Sequence, residues 1–190
     1  MFTRNGKMKQ ASAYTVNFAL PSLRTCPTAG ECKAWCYASK GMYNFSNVKA
    51  AHQRNFELTK SKDFASLAVN ELRRKRKLEA VRIHDGGDIY SKPYLVKWML
   101  AANRMPETQF YFYTKRVSLI KNNRDIIPDN VTVIFSYGGK EDHLIDPNTD
   151  RHSYVFRTKE QLERNGYVDA SHDDTVAWKS DNHRIGLLLH

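Results

Sequence analysis

The chain has 190 residues, 41% of them hydrophobic, which is enough for one domain to bury a core without disulfides or oligomerisation. Its polar, basic start, MFTRNGKMKQ, has no signal-peptide character and no segment reaches the length of a membrane span, so no membrane placement is expected and the cytoplasm is the expected location. A net charge of +10 favours anionic partners: nucleic acid, nucleotides or phosphate groups.

In chain order, YTVNFAL (Tyr14 to Leu20) reads as a first strand, followed by a cysteine-bearing loop. Helical spacing covers Asn47 to Lys60 and Phe64 to Arg76. In the second of these Phe64, Leu67, Ala68, Glu71 and Leu72 share a face, and Asp63 is placed to cap the start. The basic run Arg73 to Lys77 closes that helix, where cations offset the negative end of the dipole; a nucleic-acid patch is the other use of such a run. Next come a strand at Val81 to His84, a helix at Tyr94 to Asn103, a strand at Gln109 to Thr114, a short helix at Val117 to Asn123 and a strand at Val131 to Tyr137. A long polar loop, Gly138 to Ser153, precedes a strand at Tyr154 to Arg157, a short helix at Lys159 to Asn165 and a last strand at Arg184 to Leu189.

The β-α-β-α-β order implies parallel strands and an α/β fold, a partial (β/α) barrel of about six mostly parallel strands in one domain over residues 1 to 190. Each strand alternates an oily and a polar face. Val81 and Ile83 oppose Arg82 and His84; Phe110 and Phe112 oppose Tyr111, Tyr113 and Lys115; Val131, Val133 and Phe135 oppose Thr132, Ile134 and Ser136; Val16 and Phe18 oppose Thr15 and Asn17. With helices over the oily faces, the polar faces line an interior that binds a ligand; the alternative is an open sheet with that face in water.

All three cysteines fall within the stretch CPTAGECKAWCYA: Cys26, Cys32 and Cys36, spaced C-x5-C-x3-C directly after the first strand. In a reducing compartment an odd, clustered set of thiols points to metal ligation rather than disulfides. Thiolates select zinc, copper(I) or iron-sulfur clusters. Three cysteines leave one iron of a [4Fe-4S] cluster open for chemistry, whereas structural zinc needs a fourth ligand, for which His52, His84, His143 and His172 are candidates. Unliganded thiols are the third option. Trp35, between two of the cysteines, is suited to shield a cluster from water.

Three motifs together, C-x5-C-x3-C-Tyr-Ala, RIHDGGD (Arg82 to Asp88) and FYFYTK (Phe110 to Lys115), resemble the bacteriophage family known as gene product eighty-eight, itself distantly similar to radical S-adenosylmethionine (SAM) enzymes with their TIM-barrel-related fold. The match runs from about Tyr14 to Gly139 and more weakly to the C-terminal IGLLLH. The resemblance implies that Cys26, Cys32 and Cys36 ligate a cluster and that Gly86, Gly87 and Asp88 hold the methionine amino group of SAM. The spacing departs from the usual C-x3-C-x2-C of radical SAM enzymes, and Asp88 stands where they carry glutamate.

Among the remaining positions, HDGGD brings backbone close to a ligand with His84, Asp85 and Asp88 around it, or forms a tight turn in which Asp88 or Ser91 caps the next helix. His84, Asp88 and Lys115 are the candidate catalytic residues; Gly86, Gly87, Asp88, Tyr113 and Ser136 are the candidate cofactor-binding ones. Tyr111 and Tyr113 can stack on an adenine or base, Ser136 with Gly138 and Gly139 offers a hydroxyl and a close backbone approach, and His172, Asp173 and Asp174 either cap a helix or reach the same face. The leading expectation is a small iron-sulfur enzyme of radical SAM type with a small-molecule or nucleotide substrate and an electron donor. A cluster enzyme that never uses SAM, and a basic nucleic-acid-binding protein with a structural metal, are the alternatives.

Overall fold

The computed structural model describes residues 1–189. Seven parallel strands form one sheet curled into a half-barrel: β1 (Thr15–Asn17), β2 (Ala80–Arg82), β3 (Gln109–Thr114), β4 (Val131–Ser136), β5 (His152–Phe156), β6 (Val168–Asp169) and β7 (Arg184–Leu188). Their order across the sheet is β1-β2-β3-β4-β5-β7-β6, every neighbouring pair parallel. The helices are α1 (Gly6–Gln10), α2 (Ser46–Lys60), α3 (Phe64–Arg73), α4 (Lys92–Asn103), α5 (Val117–Lys121), α6 (Lys159–Arg164) and α7 (Val176–Lys179).

The expected α/β partial barrel is present with one strand more than expected. The seventh is β6, whose two residues offer no alternation to read. β1 and β2 are shorter than the apolar runs that mark them, yet their ladder continues: Phe18 N–H donates to the Arg82 carbonyl, Asp85 N–H to Phe18, and Leu20 N–H to Gly86. The β5 strand begins at His152, two residues earlier than its apolar run, because its register is set by β7, opposite Arg184.

The oily faces are covered by helices. Val16, Phe18, Val81, Ile83, Phe110, Phe112, Val133 and Phe135 pack against Phe64 and Leu72 of α3, Tyr94 and Trp98 of α4, and Ile120 of α5. Trp98 sits at the centre, edge-on to Phe2, Phe18 and Phe64, geometries that favour contact between ring edge and ring face. Within α3 the buried set is Phe64, Ala65, Ala68, Val69 and Leu72; Leu67, expected inside, is 41% exposed. Asp63 makes no side-chain cap, whereas Ser91 does cap α4, accepting from Tyr94 N–H.

The polar face is neither an open lumen nor solvated. α1, absent from the sequence expectation, and the segment around α7 close over it, with Ala170, Ala177, Tyr111, Ile134 and Ile185 in a second apolar cluster. Its charged groups pair with one another. Asp174, fully buried, accepts from Tyr111 Oη (2.6 Å), Arg82 Nη1 (3.1 Å) and Tyr113 Oη (3.3 Å) and pairs with Lys7 Nζ (2.8 Å). Burial pushes the Asp174 carboxyl up, but Arg82 and Lys7 outweigh it and hold it below the ordinary range. These pairs close the floor of the half-barrel interior, and the space left open, which still touches Arg82 and Tyr113, lies toward its carboxyl-end rim.

Candidate functional site

A cavity of about 360 Å³ lies at that rim. It is walled by the loop after β1, the loop after β2, the carboxyl ends of β3, β4, β5 and β7, and Asn5 and Lys7 of the N-terminal segment. Parallel α/β sheets place their chemistry at this end. Every cysteine of the chain, Cys26, Cys32 and Cys36, lies in its wall, half-buried and free of disulfides. His84, Gly86, Gly87, Asp88, Tyr113, Lys115 and Ser136 line the same cavity, so the candidate catalytic and cofactor-binding residues meet the three cysteines at one place, whereas Tyr111, His172, Asp173 and Asp174 lie outside its wall.

The cysteine loop has little regular structure, only 3-10 turns at Glu31–Lys33, Tyr37–Ser39 and Gly41–Asn44. It is held by its neighbours. Gly30 and Cys32 N–H both donate to the Gly138 carbonyl, Lys140 N–H donates to Thr28, and Thr28 Oγ1 donates to the Lys115 carbonyl. Gly138 has φ +94°, and a Cβ there would lie 3.3 Å from the Trp35 ring and 3.4 Å from Cys32 Cβ. Asp142 clamps the glycine pair, accepting from Gly138 and Gly139 N–H at 2.8 Å each. The Gly138-Gly139 turn thus docks the cysteine loop.

HDGGD does the same from the other side. Gly87 has φ +89°, and a Cβ there would come within 2.5 Å of Thr25 Oγ1 and 2.7 Å of Leu20 Cβ; Gly86 faces the Leu20 carbonyl and Ala38. Asp88 ties β2 to β3: Oδ1 accepts from Thr114 Oγ1 and Ile89 N–H at 2.6 Å, and Oδ2 from Lys115 N–H at 2.9 Å. Burial pushes its carboxyl above the usual range despite these bonds. Asp85 Oδ2 accepts from Asn17 (2.8 Å), Asn5 (2.9 Å) and Tyr43 (3.2 Å). His84, expected on the Arg82 face, instead meets Tyr94 Oη at 2.9 Å, because it lies beyond the end of β2 where strand alternation stops. Burial, then Arg82, pushes its imidazole down to about 3, so it is neutral at physiological pH.

Lys115 donates through Nζ to Ser136 Oγ and the Tyr137 carbonyl, both at 2.8 Å, and to the Ser136 carbonyl at 3.1 Å. Burial lowers its pKa; the neighbouring Cys32, Asp88 and Asp142 act in the opposite direction. Burial, reinforced by Asp88, pushes the Cys26 thiol up to about 12, so it ionises at neutral pH only beside a compensating cation. Among the described residues, no three His, Cys, Asp or Glu side chains form a group that could hold a metal ion. The thiols share a wall without being drawn to one point, and no histidine among the described residues completes a zinc tetrahedron with them.

Of the stacking candidates, Tyr111 is fully buried and its hydroxyl bonds Asp174, which removes it from any ligand. Tyr113 lines the cavity but carries the Arg82 guanidinium over its ring at 5.0 Å. His172 is exposed, Asp173 accepts from Thr175, and Asp174 alone of that trio enters the interior. Lys7 and Tyr37 are among the cavity residues that the sequence did not single out. Lys7 belongs to a five-residue helix with no amphipathic period, and Tyr37 stands next to the third cysteine, where that adjacency was the available signal. The basic run from Arg73 to Lys77 lies where the chain enters β2, at the opposite end of the sheet, and Arg73 donates to the Arg104 carbonyl. No helix is long and apolar enough to cross a membrane among the described residues.

No curated protein and no solved structure matches the chain. A family model described as Gene product 88 matches residues 1–190, so the chain belongs to the phage gene product 88 family.

Proposed function

We propose that the protein is a small enzyme whose Cys26, Cys32 and Cys36 hold a [4Fe-4S] cluster with one iron open to the rim cavity. Its substrate is a small molecule or nucleotide, and it works in the host cytoplasm, where thiols stay reduced. The observation that carries this reading is that the whole thiol complement lines one cavity at the carboxyl ends of parallel strands. Mononuclear zinc needs four donors about 2.0 to 2.3 Å from a single ion. A cluster takes each thiolate on a different iron, which suits thiols spread around a wall and a set of three without a fourth.

A bound cluster supplies one-electron reduction and an iron with a free coordination position. The chain's own residues have the complementary tasks. Lys115 places a buried cation beside Cys32 and Cys26, balancing thiolate charge. Trp35, packed near Gly138, limits water at the thiols. His84, neutral and held by Tyr94, offers an uncharged ring nitrogen as a hydrogen-bond partner for substrate at the cavity wall.

Radical SAM chemistry is the narrower form of the proposal. Gly86, Gly87 and Asp88 adjoin the cavity, which supports it, although all three also fasten the cysteine loop and β3. Anaerobic purification tests the broader form: about four irons and four sulfides per chain are expected, lost in Cys32→Ala. Zinc in place of iron, or an unchanged iron content in that variant, overturns it. Release of 5′-deoxyadenosine from SAM on reduction decides the narrower form.

A further inference from the structure

The charges that line the cavity are already spent on protein partners. Arg82 donates to Asp174, to the His84 carbonyl at 2.7 Å and to Tyr37 Oη at 3.4 Å. Lys7 is paired with Asp174, and the three hydrogens of the Lys115 ammonium are matched by three acceptors. A phosphate entering here would have to break one of these buried pairs, which is costly. Among the described lining residues, the buried side-chain polar atoms left without a partner are Asp85 Oδ1 and His84 Nδ1, an anionic acceptor and a nitrogen of an uncharged ring. Neither attracts an anion, and the first calls for a donor.

Tyr37 is the exception to this saturation. Its hydroxyl is anchored inside, donating to the Asp85 carbonyl and meeting Arg82, and its ring is braced edge-on by Tyr43 at 5.7 Å. Tyr43 is in turn backed by His52 at 5.8 Å. Yet 48% of Tyr37 remains exposed, in the wall of the cavity and next to Cys36. A tyrosine fixed at its tip and open on its ring is a pre-organised stacking surface, because little side-chain entropy is left to lose on binding.

We propose that Tyr37 is the stacking platform of the cavity and that the ligand moiety it takes is an uncharged heteroaromatic ring with an N–H donor, a nucleobase in class, rather than a phosphate chain. This deepens the reading of the cavity as the ligand site but does not depend on a cluster being present. The test is calorimetric titration of wild type, Tyr37→Phe and Tyr37→Leu with adenosine and cytidine, each compared with its 5′-triphosphate. At least one nucleoside is expected to bind, its triphosphate no more tightly. Loss of the ring in Tyr37→Leu should weaken binding about 5- to 150-fold, the range for removing one base-stacking aromatic, while Tyr37→Phe stays within about threefold of wild type.

Three results overturn the proposal: no nucleoside binding, triphosphates binding more tightly with a steep salt dependence, or unchanged binding in Tyr37→Leu. Should that variant fail to fold, saturation-transfer NMR on wild type keeps the test open, since base protons must receive more transfer than ribose protons. Iron is assayed on the same samples. Failure of base binding in iron-loaded protein overturns this inference alone, and anaerobically purified protein that binds a base but contains no iron overturns only the cluster.

Discussion

Replacing Asp174 by asparagine preserves the side chain's shape while removing the anion that holds the half-barrel interior together. In the native protein Oδ1 serves Lys7 and Tyr113, and Oδ2 serves Arg82 and Tyr111. An amide oxygen can keep one of these pairs, but the amide N–H groups then face the other pair of donors. Two bonds to a charged group are lost, at about 1.5–3 kcal/mol each, and Arg82 and Lys7 remain as buried cations without their counter-ion. The sum, about 3–6 kcal/mol, agrees with the roughly 3–5 kcal/mol typical of breaking a buried ion pair, and takes a large share of a stability of about 5–15 kcal/mol. Urea denaturation at pH 7, followed by circular dichroism, should show the midpoint fall with the slope unchanged. Because the folded pKa of Asp174 is depressed, its contribution is present above the unfolded value of about 3.9 and is lost as pH falls through the folded value. The Asp174→Asn variant should therefore flatten that acid limb. A loss below about 1 kcal/mol with an unchanged slope would refute the network as the organiser of the interior.

His84 contributes acid sensitivity of a different origin. Its folded pKa of about 3 lies below the ordinary 6.5, so the unfolded chain binds the proton first and stability falls as pH drops below 6.5. The loss should be about 2 kcal/mol between about pH 7.5 and 5, visible as a shift in urea midpoint that disappears in His84→Gln. Gly87→Ala should cost at least about 2 kcal/mol, combining a left-handed backbone with overlap on Thr25 and Leu20, and should speed proteolytic cleavage within residues 22 to 45. Gly6→Ala, with nothing within 4 Å of its Cβ, should stay within about 0.5 kcal/mol of wild type in the same melts. Gly186→Ala would drive a methyl into Leu162 of α6 and should lose about 1–3 kcal/mol, part of it recovered in the Gly186→Ala, Leu162→Ala double variant; a purely additive double variant would count against that contact.

The sheet and the location of the cavity are legible in the order of the residues. Strands as regular as FYFYTK and VTVIFS declare both faces at once, because side chains alternate and the oily face must be covered by helices. The α/β order then requires parallel strands, and with them the rim on which C-x5-C-x3-C and HDGGD both lie. Spacing alone thus brought the three cysteines, Gly86, Gly87, Asp88, Lys115 and Ser136 to one wall.

What occupies the polar face became visible only with the chain folded. Asp174, more than ninety residues from Arg82 and more than sixty from Tyr111, closes a charge network that no local pattern announces, since pairing of buried charges depends on through-space distance rather than on sequence period. The same holds for the glycines, whose positive φ and close approaches appear only once Leu20, Thr25, Trp35 and Cys32 are packed against them. It holds for Tyr37 too: the cysteine motif places it next to Cys36, but only the fold anchors its hydroxyl beneath the cavity and leaves its ring uncovered.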